Sequence, residues 1–128
     1  MNKLIFILCL ISSVLSAQDK ENTNIYTVAD VMPQFPGGDD SLISFISRNL
    51  IYPSIAQEKD IQCNIKVTFT VKEDGSLKIN KIKNSKHKVF KDEVYRLFNL
   101  MPKWTPGKQN GKIVRVYIEL PLNFSLEE

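Results

Sequence analysis

The feature that most constrains this chain is the long alternation near its end. In residues 113–124, Val114, Val116, Ile118, Leu120, Leu122 and Phe124 make one apolar set, while Ile113, Arg115, Tyr117, Glu119 and Asn123 make a second, mostly polar one. A period of two means a β-strand with one face buried. Asn110-Gly111, just before it, is a tight-turn signal. Pro121 lacks the N–H that a two-sided ladder requires, so the strand lies at a sheet edge or carries a bulge. A long, regular edge strand exposes free hydrogen-bonding groups, which charges, prolines or a partner normally occupy. A partner is expected here.

The elements upstream supply what this strand packs on. Leu42, Phe45, Ile46 and Leu50 recur at helical spacing and predict an amphipathic helix ending near Tyr52-Pro53, with Asp39 or Asp40 as its N-cap. Pro53 can open a second, short helix over residues 54–59. Cys63, Ile65, Val67, Phe69 and Val71 alternate with polar residues, and Glu73, Asp74 and Gly75 supply a hairpin turn. The returning strand has Leu77 and Ile79 inward, but its next apolar residue is Ile82, a slip of phase that predicts a bulge near Asn80. Phe90, Val94, Leu97, Phe98 and Met101 predict the second main helix, stopped by Pro102. The expected fold is α+β, with two helices packed on one face of a small antiparallel three-stranded sheet. Trp104, the sole tryptophan, is expected to pack the helix end against that sheet.

The first residues are not expected to belong to this domain. Lys3, an apolar run over residues 4–11, and small residues at Ser16 and Ala17 have the layout of a secretory signal. The run is shorter than the roughly 20 residues needed to span a bilayer. Residues 1–17 are therefore expected to be a signal peptide, residues 18–31 a polar linker, and residues 32–128 one domain. Loss of Lys3 lowers the formal charge from +3 to +2, too little to imply a nucleic-acid partner. Cys9 leaves with the signal, so Cys63 stands alone, cannot form an internal disulfide, and is expected as a small buried hydrophobe.

Residues suited to catalysis are scarce. His87 lies in a lysine-rich loop with no acidic pair or serine elbow placed to work with it. One cysteine and one histidine cannot make a zinc site. Gly37-Gly38 precedes a helix but lacks the Gly-Lys-Ser/Thr ending of a phosphate loop. No enzyme activity, cofactor or metal is expected. Residues 78–91 carry six lysines and no acid, which reads first as a solvated face and second as a surface for anionic headgroups or an acidic partner.

These residues also carry a resemblance. Tyr52-Pro53 with Ala56, the strand pair turning through Glu73, Asp74, Gly75 and Ser76, the following amphipathic helix, Trp104-Thr105-Pro106-Gly107 and the long last strand resemble the TonB C-terminal domain. Pro33-Gln34-Phe35-Pro36-Gly37-Gly38 and the block from Met101 to Lys108 resemble its Bacteroidetes-type form. The resemblance implies a periplasmic domain that grips a short extended segment, the TonB box, at the plug of an outer-membrane receptor. It implies Tyr52, Pro53 and the last strand, here Arg115, Tyr117 and Glu119, as receptor-contacting parts. That strand is the edge which alternation and Pro121 had already singled out for strand addition.

Two departures shape the expectation. Energy transducers of the family keep a membrane helix and a proline-rich spacer, whereas this chain has a signal-like start and a short polar arm. A glycine common before the family's first strand is Cys63 here. The expected protein is thus a periplasmic TonB-like binding module in TonB-dependent transport. A membrane-anchored transducer working with an inner-membrane proton-gradient complex, and an envelope protein-protein interaction domain, are the alternatives. A homodimer through the edge strand is also open to it.

Overall fold

The structure, a computed structural model, describes residues 25–126. The expected signal peptide and the first part of the expected linker lie outside the described residues. In chain order the elements are β1 (Ile25–Tyr26), α1 (Asp39–Asn49), α2 (Ser54–Glu58), β2 (Cys63–Val71), β3 (Leu77–Lys83), α3 (Lys88–Leu100), β4 (Gly107–Gln109) and β5 (Lys112–Phe124).

The fold is α+β, but the sheet has five strands rather than three, and it is mixed rather than wholly antiparallel. Its order is β1-β5-β2-β3, with β4 paired to β5 off this path. β2 pairs antiparallel with both β3 and β5, while β1 runs parallel to β5. The two added strands escape a reading by alternation because β1 is two residues long and β4 three, too short to display a period. β4 exists because Asn110 and Gly111 both take positive φ, at 53° and 79°, making the two-residue turn that closes a hairpin onto Lys112.

Residues 25–31, expected within a polar linker, are joined to the sheet. Ile25 and Tyr26 pair with Arg115 and Val116, Ala29 is buried, and Val31 exchanges two backbone hydrogen bonds with Lys108 at 3.0 and 2.8 Å.

Three helices cover one face of the sheet. Ile65, Val67, Phe69 and Val71 of β2 meet Leu122 and Phe124 of β5, and above them lie Leu42, Ala56, Phe90, Val94, Leu97 and Phe98. Such residues, fully buried, each contribute roughly 1.5 to 3 kcal/mol. Aromatic edges fill the middle: Phe69 stands 5.0 Å from Phe98 and 5.4 Å from Trp104 in T-shaped pairs. Helix α1 begins after Gly38, which caps without a side chain, so Asp39 and Asp40 fall in the first turn, where they complement the helix dipole instead of capping it. The phase slip in β3 is a bulge: Phe69 faces Ile79 but Thr68 faces Lys81, leaving Asn80 extra. Thr70 donates its hydroxyl to Asn80 Oδ1 at 2.8 Å.

Candidate partner-binding edge

Which side of β5 is open follows from one hydrogen bond. Lys72 donates its N–H to the Ser76 carbonyl at 2.9 Å, so even-numbered residues at this end of β2 turn their backbone groups towards β3. Successive residues alternate sides, so Phe69 and Val71 turn theirs towards β5. Their partners are Ile118 and Val116, which makes the even-numbered residues of β5 face β2 and the odd-numbered ones face outward. Pro121 is odd, and its missing N–H therefore falls on the outer edge, where no ladder within the domain requires it.

β1 occupies part of that outer edge, against Arg115 and Val116. From Tyr117 to Phe124 no strand among the described residues pairs with it. This leaves an open stretch of roughly 25 Å at about 3.4 Å per residue. Glu119 and Asn123 present a donor and an acceptor each along it, and Pro121 an acceptor alone; Tyr117 presents its carbonyl, its N–H being taken by the Tyr26 carbonyl at the end of β1.

The side chains of the odd-numbered residues lie on the sheet face away from the helices. Tyr117 is 36% exposed, and Glu119 sits 3.7 Å from Lys66 in an exposed ion pair. On the other face Ile118 and Leu120 remain partly buried against the core. A strand added here would therefore meet an aromatic ring and a carboxylate on one side and an apolar margin on the other.

The five residues expected to contact a partner fare differently. Tyr117 and Glu119 lie together on the open stretch. Arg115 does not: its backbone is engaged by β1 and its Nε donates to Glu73 Oε1 at 2.9 Å. Tyr52 is turned inward, its hydroxyl donating to the Ile61 carbonyl and its ring edge-on to Phe124 at 5.7 Å and Phe90 at 6.2 Å. Burial raises the Tyr52 pKa, with Asp60 and Cys63 adding to the effect. Pro53 caps α2, its carbonyl accepting from Ala56 and Gln57 at 3.0 Å. Tyr52-Pro53 thus anchors the far end of β5 through Phe124. Asn123 was not among the expected contacts, although its parity matches that of Tyr117 and Glu119.

A second polar cluster was not foreseen. Glu93, on the core face of α3 and 7% exposed, accepts from Arg96 Nε at 2.8 Å, from Arg96 Nη2 at 2.7 Å and from the Ile51 N–H at 2.6 Å. Arg96 also donates to the Asn49 carbonyl at 2.5 Å. The bonds to Glu93 raise the Arg96 pKa. Every charged group in this cluster has a partner within the fold, so it fastens α3 to the end of α1.

Cys63 is half-buried and its thiol donates to the Asn84 carbonyl at 2.9 Å. Among the described residues no group of histidine, cysteine and carboxylate side chains could hold a metal ion, and no helix is long and apolar enough to cross a membrane.

Helices on one sheet face, with the outer edge of one long strand left partly open, define an α+β domain built around that strand. Residues 48–126, more than half of the chain, match the family described as Gram-negative bacterial TonB protein C-terminal. The chain belongs to that TonB C-terminal family. It is also similar to the solution structure of the TonB C-terminal domain of Helicobacter pylori, at 24% identity and a TM-score of 0.46, over 73% of this chain and 88% of that one. No curated protein matches it.

Proposed function

We propose that this domain is a periplasmic TonB-like binding module that takes an extended segment of an outer-membrane receptor, its TonB box, as an added strand on the outer edge of β5. The observation that carries this reading is the contrast between the two edges of the sheet. The β3 edge has the features that prevent pairing: a bulge at Asn80 and the lysines Lys78, Lys81 and Lys83. From Tyr117 to Asn123 the β5 edge has neither a bulge nor a lysine; it carries one carboxylate, Glu119, and one proline, Pro121, which withholds a single donor. Family membership supplies the setting, TonB-dependent transport across the outer membrane, and strand addition is the recognition mode an open edge supports.

Specificity would come from Tyr117 and Glu119. A partner side chain opposite Glu119 is favoured if basic or neutral, since like charges directly across a ladder are destabilising. The test is titration of the isotopically labelled protein with a synthetic peptide covering the extended plug segment of a TonB-dependent receptor from the same genome. Amide shifts centred on Tyr117, Glu119 and Asn123 are expected. Shifts centred on β3 or on the helices would overturn the reading, as would none at millimolar peptide.

A further inference from the structure

The open stretch of β5 begins at Tyr117 because β1 ends beside Val116. β1 is held there weakly. Its ladder is two pairs long and draws on only two residues of β5, Arg115 and the N–H of Tyr117. In a parallel pair the residue that faces the other strand bonds to the neighbours of its partner, which makes Tyr26 the N–H donor to the Arg115 carbonyl and its own carbonyl the acceptor of the Tyr117 N–H. Ile25 is 45% exposed and brings little burial. Immediately after β1, the Thr27 hydroxyl is buried with no hydrogen-bond partner, a cost that opening would relieve.

The segment that follows is held separately. The Asp30 N–H donates to Gln109 Oε1 at 2.9 Å, and Asp30 Oδ2 accepts from the Asn110 N–H at 2.9 Å. Val31 and Lys108 exchange backbone bonds, and Ala29 is buried. Residues 29–31 can therefore stay on the β4–β5 hairpin while β1 leaves, pivoting at residues 27–28.

We infer that β1 is a displaceable occupant of the partner-binding edge, which the receptor segment replaces so that the acceptor runs from Arg115 to Asn123 rather than from Tyr117. This rests on the reading of β5 as the strand-accepting edge. The chain's own strand then competes with the partner's, and apparent affinity is lowered by the fraction of molecules in which β1 is closed. It also makes the partner one outward residue longer than the open stretch alone accommodates.

Two measurements on the full chain test this. The first is amide hydrogen exchange in the free protein. The Tyr26 amide should exchange on the order of 100-fold faster than those of Val31 and Lys108, as a locally opening element does. Equal protection would mean that β1 opens only together with the whole segment, and the inference fails. The second is the receptor-peptide titration repeated on Tyr26→Pro, which removes the donor to Arg115. Binding about threefold tighter or more, with the Arg115 amide newly protected in the complex, is the expected result. Equal or weaker binding by a variant that melts like the parent overturns it. If the peptide binds neither protein, the receptor reading falls, while the exchange result still decides whether β1 is displaceable.

Discussion

Gly75 and Trp104 lie back to back. The Trp104 N–H donates to the Gly75 carbonyl at 2.9 Å, and a β-carbon at Gly75, whose φ is +87°, would collide with the Trp104 carbonyl oxygen. The β2–β3 turn and the segment after α3 are thereby fitted to each other without a side chain between them. Gly75→Ala combines a left-handed backbone with overpacking, and a loss of roughly 1 to 3 kcal/mol is expected in urea unfolding. A variant as stable as the parent would mean that the turn shifts freely away from Trp104.

On its other side Trp104 is core. It is 6% exposed, stands edge-on to Phe35 at 5.8 Å and to Phe69 at 5.4 Å, and joins the end of α3 to the sheet. Trp104→Ala should cost roughly 3 to 5 kcal/mol, as truncation of large buried aromatics does. Thermal melting checks this, and an unchanged midpoint would assign Trp104 to a surface role instead.

The Glu93–Arg96 cluster makes a third case. Glu93→Ala leaves the Ile51 N–H without its acceptor and Arg96 without its counter-charge. Because Arg96 is partly solvated, the expected loss is about 1 to 3 kcal/mol, below that for a fully buried pair. Glu93→Gln, which keeps one acceptor, should lose less. Both are read from denaturant midpoints, and equal losses would show that charge rather than hydrogen bonding holds α3 to the end of α1.

Tyr52 yields a pH prediction. Its folded-state pKa is raised above the ordinary tyrosine value, chiefly by burial. A raised pKa gives a contribution to stability that is fully present below the unfolded value of about 10 and is lost as pH rises through the folded one. Tyr52→Phe lacks the ionisable hydroxyl and also its bond to the Ile61 carbonyl, so it should be less stable than the parent near neutrality. The gap should narrow above about pH 10 as the parent alone carries this loss. Melting curves of both proteins across that range provide the check; a gap that stays constant would place the Tyr52 hydroxyl in water.

How much of this was legible in the sequence depended on element length and on burial. The twelve-residue alternation at 113–124 is long enough to fix a strand and its buried face, and Pro121 marks its open side once parity is applied. The step from Ile79 to Ile82 located a bulge because one inserted residue reverses the faces of everything after it. β1 and β4 were not legible, since two or three residues carry no period, and a parallel pairing between residues 25 and 115 leaves no local trace. That gap left β1, which lies against Arg115, unforeseen. The inward contacts of Tyr52 with Phe124 and Phe90 were not legible for another reason: a motif shared with a family does not distinguish a residue that touches a partner from one that holds the touching strand. Glu93 stood in an apolar stripe three residues before Arg96, a spacing that does signal an ion pair on a helix, but its burial depends on where α1 ends.

The decisive prediction concerns the open edge itself. Even-numbered residues of β5 point their N–H groups at β2 and odd-numbered ones point outward, and Pro121 already occupies an outward position without disrupting the sheet. A second proline at an outward position should therefore be tolerated, whereas one at an inward position should not. Val116→Pro removes a ladder bond to Val71 beneath the fully buried Val116 side chain, and roughly 3 kcal/mol or more of stability should be lost. Tyr117→Pro removes an outward donor whose partner within the domain is the Tyr26 carbonyl at the end of the two-residue β1, so its melting point should stay much closer to the parent's. The same substitution deletes a donor from the middle of the proposed receptor contact, and peptide binding should fall at least tenfold, about 1.4 kcal/mol for one ladder hydrogen bond with its neighbouring register. Comparing the two variants by thermal melt and by titration with the receptor peptide separates fold from function. If Val116→Pro folds while Tyr117→Pro does not, the parity assigned to β5 is inverted and the open edge is not where a partner strand can join.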